Sequence, residues 1–170
     1  DIGSSCLHID GSLSNTGTTS ENDIESRSSQ SVSLAYGRGL NEQITIGGTL
    51  SISPSRSDNN GFDIDRTFGL SIWSAYSENG HSGTGWQASA AVGRSTASAV
   101  ISRGRGLENV MLATGNADVM TNSMQATLGY GVQEQHWLLT PSATLTRYHT
   151  TRDAYSETGG DFNATYDSLT

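Results

Sequence analysis

The residue types able to do chemistry are all present in this chain, so their spacing decides whether any of them act together. A serine nucleophile needs a strained elbow and a base, and Gly80–Thr84 reads GHSGT, breaking the G-x-S-x-G pattern at its last glycine. No helical periodicity follows it. Asp167-Ser168-Leu169 lacks the glycine that a lipase-type signature requires. His8, His81, His136 and His149 fall in or beside turns and strand ends, far apart in sequence. Asp58-Asn-Asn-Gly-Phe-Asp-Ile-Asp65 has carboxylates and amides suited to a cation, but its glycine is misplaced for an EF-hand loop, and a polar turn is the better reading. Cys6 is alone, which rules out an internal disulfide or a cysteine-based metal site; it reads as a buried small apolar residue, with a free thiol as the alternative. Asn163-Ala-Thr165 matches a glycosylation sequon by pattern only. These groups form no catalytic constellation, and the expectation is a protein that is not an enzyme and carries no cofactor or metal.

The elements that hold these residues are strands. In Gln43–Ser53, QITIGGTLSIS, Ile44, Ile46, Leu50 and Ile52 share one parity, while Gln43, Thr45, Gly47, Thr49, Ser51 and Ser53 share the other. Two architectures fit such a strand. In a soluble sandwich the aliphatic face turns inward; in a membrane barrel it turns out to lipid and the polar face lines the lumen. The same alternation recurs in Cys6–Ser14 (weakly), Gln30–Arg38, Phe62–Ser77, Thr84–Ser95, Asp118–Val132, Trp137–Tyr148 and, beginning an eighth strand, Asp161–Thr170. Between them lie Asn15–Ser29, too polar for burial, the turn-rich Pro54–Gly61, the irregular Thr96–Ala117, whose Ala97–Val110 could prolong the strands, and a polar loop at 150–160. The whole is one β-domain, residues 1–170.

Composition separates the two architectures. Net charge is −8, and the nine basic residues are all arginine and scattered, so no nucleic-acid footprint exists. Hydrophobic content is 34%, low for a packed globule, yet it is strictly ordered. No apolar run reaches the ~18 residues of a membrane helix, a test that barrel strands escape. The connections alternate short and long, as in outer-membrane barrels. Tyr36, Tyr76, Trp86, Tyr130 and Trp137 all lie on the apolar parity beside the short turns, which predicts one aromatic girdle. Phe62, Phe68 and Phe162 make a sparser second one. The opposite face is mostly Gly, Ala, Ser, Thr and Gln, with Asp63, Asp65 and Trp73 as larger exceptions. The expected lipid-facing residues are Val32, Leu34, Ile44, Ile46, Leu50, Ile52, Leu70, Ile72, Val92, Leu128, Leu139 and Leu145. The alternative is a soluble β-sandwich or small barrel with a binding role, whose dry core these residues would form.

The succession LAYGRGLNEQITIGGTLSIS, GLSIWSAYSENG, WQASAAVGRS, SMQATLGYGV, WLLTPSATLTRYHTTRDAYSETGG and NATYDSLT resembles the autotransporter β-domain of Gram-negative bacteria, from about Gly11 to Thr170. The order and spacing carry the resemblance, above all the Trp-x-Leu-x-Pro strand followed by Tyr-x-Glu-x-Gly-Gly. It implies a twelve-stranded antiparallel outer-membrane barrel that exports and anchors an N-terminal passenger, a type V secretion translocator of which about eight strands are present. It also implies three partners: outer-membrane lipid and lipopolysaccharide, the chain's own passenger, and the barrel assembly machinery. Arg103-Gly-Arg105-Gly could touch lipopolysaccharide phosphates or be a solvated loop. Both ends look cut. The family's helix and linker and its final strands are then missing, and open strand edges would invite self-association.

Overall fold

The computed structural model describes residues 5–20, 23–57, 62–103, 111–161 and 163–170. Alternating apolar and small polar residues make strands of almost all of them: β1 (Ser5–Ser20), β2 (Asp23–Gly39), β3 (Ile44–Ser53), β4 (Arg56–Ser57), β5 (Phe62–Ile64), β6 (Thr67–Ser77), β7 (Gly85–Arg103), β8 (Ala113–Glu134), β9 (Trp137–Leu139), β10 (Ser142–Arg152), β11 (Tyr155–Ser156) and β12 (Thr165–Tyr166). A turn of 3-10 helix, Gly80–Ser82, joins β6 to β7. The long strands pair antiparallel in the order β1–β2–β3–β6–β7–β8–β10, the expected up-and-down meander. Among the described residues, β1 and β10 are the two ends of the sheet.

Three tight connections gather at one end. In the first, the Asn41 side-chain oxygen accepts the N–H groups of Gln43 and Ile44, at 2.9 and 2.7 Å. In the second, Gly80 and Gly83 take φ of 59° and 70°, values an L side chain resists, and Glu78 accepts the Trp86 N–H at 2.9 Å. The Gln43 amide donates to the Glu78 carbonyl at 2.8 Å and ties these two turns together. The third is the two-residue hairpin Gln135–His136, closed by the pair Glu134 and Trp137.

Several segments depart from the simple alternation of the sequence. The polar stretch 15–29 is not a loop: β1 and β2 stay paired up to Ser20 opposite Asp23, because a two-stranded ladder needs only backbone partners and not an apolar face. Phe62–Ser77 is not one strand. Phe68 faces Thr96 but Ile64 faces Ala99, so four steps on this strand match three on β7. That is a bulge at Asp65–Arg66, and the extra residue reverses the parity beyond it. Ile64 therefore shares the inward face with buried Ala99, while Asp63 pairs with outward, exposed Val100, not with the lumen set. Trp137–Tyr148 is interrupted at Pro141, whose carbonyl accepts the Tyr130 N–H at 3.1 Å but whose nitrogen has no proton to return. The register on β8 is unchanged across the break, and β10 runs on to Arg152. The expected eighth strand shrinks to β12, which pairs with β11 in a small separate hairpin.

The apolar side chains do not form a core. Among the described residues the buried apolar ones are Ala99, Ala113, Ala117 and Tyr155, all at the long-loop end. The aliphatic face is bare: Leu70 is 59% and Ile72 62% exposed, in mid-sheet. A sandwich would cover that face with a second layer. None is there among the described residues, and the soluble-core alternative loses its basis.

Candidate functional site

The site is the sheet itself, and its two faces have different chemistry. On the outward face, Val32, Leu34, Ile46, Leu50, Ile52, Leu70, Ile72, Val92, Leu128, Leu139 and Leu145 are exposed, and Ile44 is half-buried against its neighbours. The upper limit of this apolar area, toward the long loops, is Ile52 on β3 and Leu145 on β10. Leu145 faces Ala126, Ala126 faces Ala90, Ala90 faces Ser74 and Ser74 faces Ile46. The limit thus falls from Ile52 to the level of Ile46, 52 − 46 = 6 residues, over four strand steps. With ~3.3 Å per residue and ~4.8 Å between strands, the slope is about 45°. That is the tilt of strands crossing a bilayer, and it levels the apolar band perpendicular to a common axis.

The same slope orders the aromatics. Tyr36, Tyr76, Trp86, Tyr130 and Trp137 are 52, 39, 51, 44 and 79% exposed on the outward face. Corrected for tilt, they lie within a slab roughly 6 Å deep at the short-turn edge. Trp86 and Tyr130 meet edge to face at 5.1 Å. On β7 the apolar area runs from Trp86 to Val92 and ends at Arg94, which makes the band about 20 Å high. At the far edge Phe68 is 54% exposed; the Phe62 side chain and Phe162 lie outside what the structure describes.

The inward face is small, polar and hydroxyl-rich. Thr127 and Thr144 share a hydrogen bond at 3.0 Å, and Thr121 and Thr150 one at 2.9 Å. Near the short turns Gln43, Thr45, Ser77, Gln87 and Ser89 line a hollow of about 330 Å³. Trp73 is the largest of the three exceptions expected inward, and it lies across β2 and β3, where Gly37 and Gly47 leave the room: a Cβ on either would strike its ring.

At the long-loop end the chain after β10 folds inward over β7 and β8. Tyr155 rests on Gly115, stacks on Tyr166 with ring centroids 4.8 Å apart, and has the Arg152 guanidinium 4.9 Å above its ring. Thr114 and Thr158 exchange backbone hydrogen bonds at 2.9 and 2.8 Å. Glu157, with its side chain 1% exposed, accepts from Arg103 at 2.6 Å and from the Ala164 N–H at 3.2 Å. The bonded carboxylate raises the pKa of Arg103, and burial, followed by the Tyr166 phenol, raises that of Tyr155. Arg103 is therefore occupied on the inward side and does not present itself to lipid headgroups; residues 104–110 lie outside the described chain. In the sequence, Tyr155, Glu157 and Gly159 stand out only through the family resemblance. An acidic residue isolated in a polar loop gives no signal of its distant arginine.

The chemical candidates are dispersed. The Ser82 hydroxyl is used within its own turn, bonding the Asn79 carbonyl at 3.0 Å and the Thr84 hydroxyl at 2.8 Å. Cys6 is not the buried apolar residue expected but a free thiol exposed on the inward face opposite Gly37, where the small polar surface gives it no core to enter. Asp65 accepts the Arg66 N–H, and Asn163 that of Gly160. Among the described residues no three His, Cys, Asp or Glu side chains converge as metal ligands.

The model of the family described as autotransporter beta-domain matches residues 7–170. The fold is similar to that of the translocator domain of autotransporter NalP from Neisseria meningitidis, with a TM-score of 0.72 and 16% identity over 97% of this chain. The chain spans 56% of that structure. No curated protein matches in sequence.

Proposed function

The chain belongs to the autotransporter β-domain family, whose place is the bacterial outer membrane, and on that premise we propose that it forms part of the barrel that exports and anchors an N-terminal passenger. The observation that carries this reading is the sloping apolar band: exposed aliphatics outside, hydroxyls and glycines inside, inclined as a bilayer requires. The twelve aliphatic positions are then the lipid contact, and the five aromatics the girdle on the periplasmic side, where barrel turns are short. Lipid and lipopolysaccharide surround the outer wall, the passenger is the cargo, and the barrel assembly machinery inserts the strands. The domain acts by providing a polar path and an apolar exterior; catalysis has no part in it.

The test is passenger display. Cells producing the intact autotransporter are treated with external protease, and released passenger is measured for wild type and for Ala90→Arg, which puts a charge midway up the outer wall. Display should fall sharply while expression persists. Undiminished display with Arg at that position would refute the assignment of the outer face.

A further inference from the structure

On a lipid-facing wall, polar side chains should begin where hydrocarbon ends, and on this one they begin with arginine. Arg94 follows Val92 on the outward parity of β7, and Arg147 follows Leu145 on that of β10. After correction for tilt the two lie at one level, at the long-loop edge of the band. Asn122 on β8 stands between them: it faces Arg94 on one side and His149 on the other, while Arg147 faces Met124, one pair lower. Their Cα atoms are on the order of 12 Å apart, two strand spacings across and two residues along, a gap that two arginine stems can cover from both sides.

Both guanidinium groups are exposed, and among the described residues neither is within ion-pair distance of a carboxylate. Arg94 lies against the Met120 sulfur, with its stem on the apolar wall and its head turned toward the long loops. Asp65, Asp118 and Asp153 line the outward depression above it and outnumber the one further cation there, Arg66, with Asp118 bonded to the Ser98 hydroxyl. Those carboxylates repel an anion placed higher, and hydrocarbon excludes one placed lower. The level left is that of the arginines, which is also the depth of a lipid's phosphate. The opposite edge has five aromatics and, among the described residues, one outward arginine, Arg38, so a pair of arginines at one level belongs to the long-loop edge.

We propose that Arg94 and Arg147, with the Asn122 amide between them, bind the phosphate of a phosphorylated lipid in the leaflet on the long-loop side. Two guanidinium forks match phosphate oxygens bidentately, which a scattered surface charge does not. The proposal rests on the membrane-barrel reading, and its test is separable from it.

The intact autotransporter is purified in detergent, and bound lipid is read by native mass spectrometry after addition of lipid A bearing two phosphates or the same lipid dephosphorylated. Gel migration with and without heating reports in parallel whether the barrel has assembled; loss of that signature in wild type would count against the barrel itself and not against this site. Wild type should retain the phosphorylated lipid and release the dephosphorylated one, an arm that needs no variant. R94Q/R147Q should retain about tenfold less, R94K/R147K an intermediate amount, and R38Q, at the opposite edge, as much as wild type. Equal retention of the dephosphorylated lipid, or undiminished retention by an assembled R94Q/R147Q, overturns the proposal. Displacement of the lipid by millimolar inorganic phosphate overturns the lipid assignment in favour of a free-phosphate site.

Discussion

Ser89 and Ala90 are consecutive residues at nearly the same depth on opposite faces, so together they test which face meets lipid. Ala90 is outward and exposed, facing Ser74 and Ala126, midway between Trp86 and Arg94 on β7. Four residues of tilted strand put it about 9 Å from either edge of the band. Arginine there has no short route to water, and the cost near a bilayer midplane is ~2–4 kcal/mol. Ala90 is exposed and lines an open outward hollow, so the substitution does not disrupt a packed core. Two residues up, Val92→Arg stands nearer the edge, and its head reaches water as Arg94 does; about 1–2 kcal/mol is expected. Ser89 points into the polar hollow, and Ser89→Arg should stay within ~0.5 kcal/mol, like other wet-face substitutions. The assay is reversible unfolding of the intact translocator in phosphatidylcholine vesicles, titrated with guanidinium and followed by tryptophan emission. Midpoints should fall in the order Ser89→Arg, Val92→Arg, Ala90→Arg with slopes unchanged. Equal penalties at 89 and 90 would mean that both faces are dry, and the translocator reading would fail.

Three further outcomes follow from single contacts. Gly47→Ala should destabilise by about 1–3 kcal/mol, because the added methyl meets the Trp73 ring and the Tyr36 carbonyl; adding Trp73→Leu should return part of that loss in the same unfolding assay. Gln135 holds φ at 42° in the β8–β9 turn, so Gln135→Gly should raise the unfolding free energy by about 0.5–1 kcal/mol in that assay. The Tyr155 phenol has its pKa raised above the ordinary 10.0, chiefly by burial. A raised folded-state pKa contributes stability that is whole below the unfolded value and lost as pH rises through the folded one. The β11–β12 hairpin should therefore stay docked at pH 7 and loosen only above pH ~10, seen as faster amide exchange over 155–166; Tyr155→Phe should remove that alkaline step, and Glu157→Gln should speed exchange already at neutral pH.

The fold was legible because a period of two is a local signal. In β3 or β6 every second residue states which face it occupies, and the short turns that spacing puts at Gly39–Glu42 and Gln133–His136 fall at 40–43 and 135–136. Two things escaped. The bulge at Asp65–Arg66 adds one residue without altering the visible alternation, so Ile64 reads as outward in sequence and is inward in space. The β1–β2 ladder beyond residue 14 gives no apolar pattern at all, since backbone pairing holds it. The mouth was less legible still. Arg103 and Glu157 are 54 positions apart, and Tyr155 needs the bare backbone of Gly115 beneath it; neither relation is written in the neighbourhood of the residues concerned.

A property that belongs to no single strand favours lipid over a dry core. Each strand by itself fits either architecture, and exposure alone would also fit a sheet lacking its partner layer. A missing layer, however, has no reason to lower its footprint across the sheet as here, where Phe68 stands level with Ile52 and Met124 with Val92 but the limit falls between β6 and β7 and again between β8 and β10. A membrane does: its slab is flat, the strands cross it obliquely, and the apolar stretch on each must slide against its neighbours by an amount fixed by the tilt. The slide from Ile52 to the level of Ile46 over four steps, with aromatics following it along one edge and Arg94 and Arg147 along the other, is a relation between registers and composition. It is why the outer face reads as a solvent boundary.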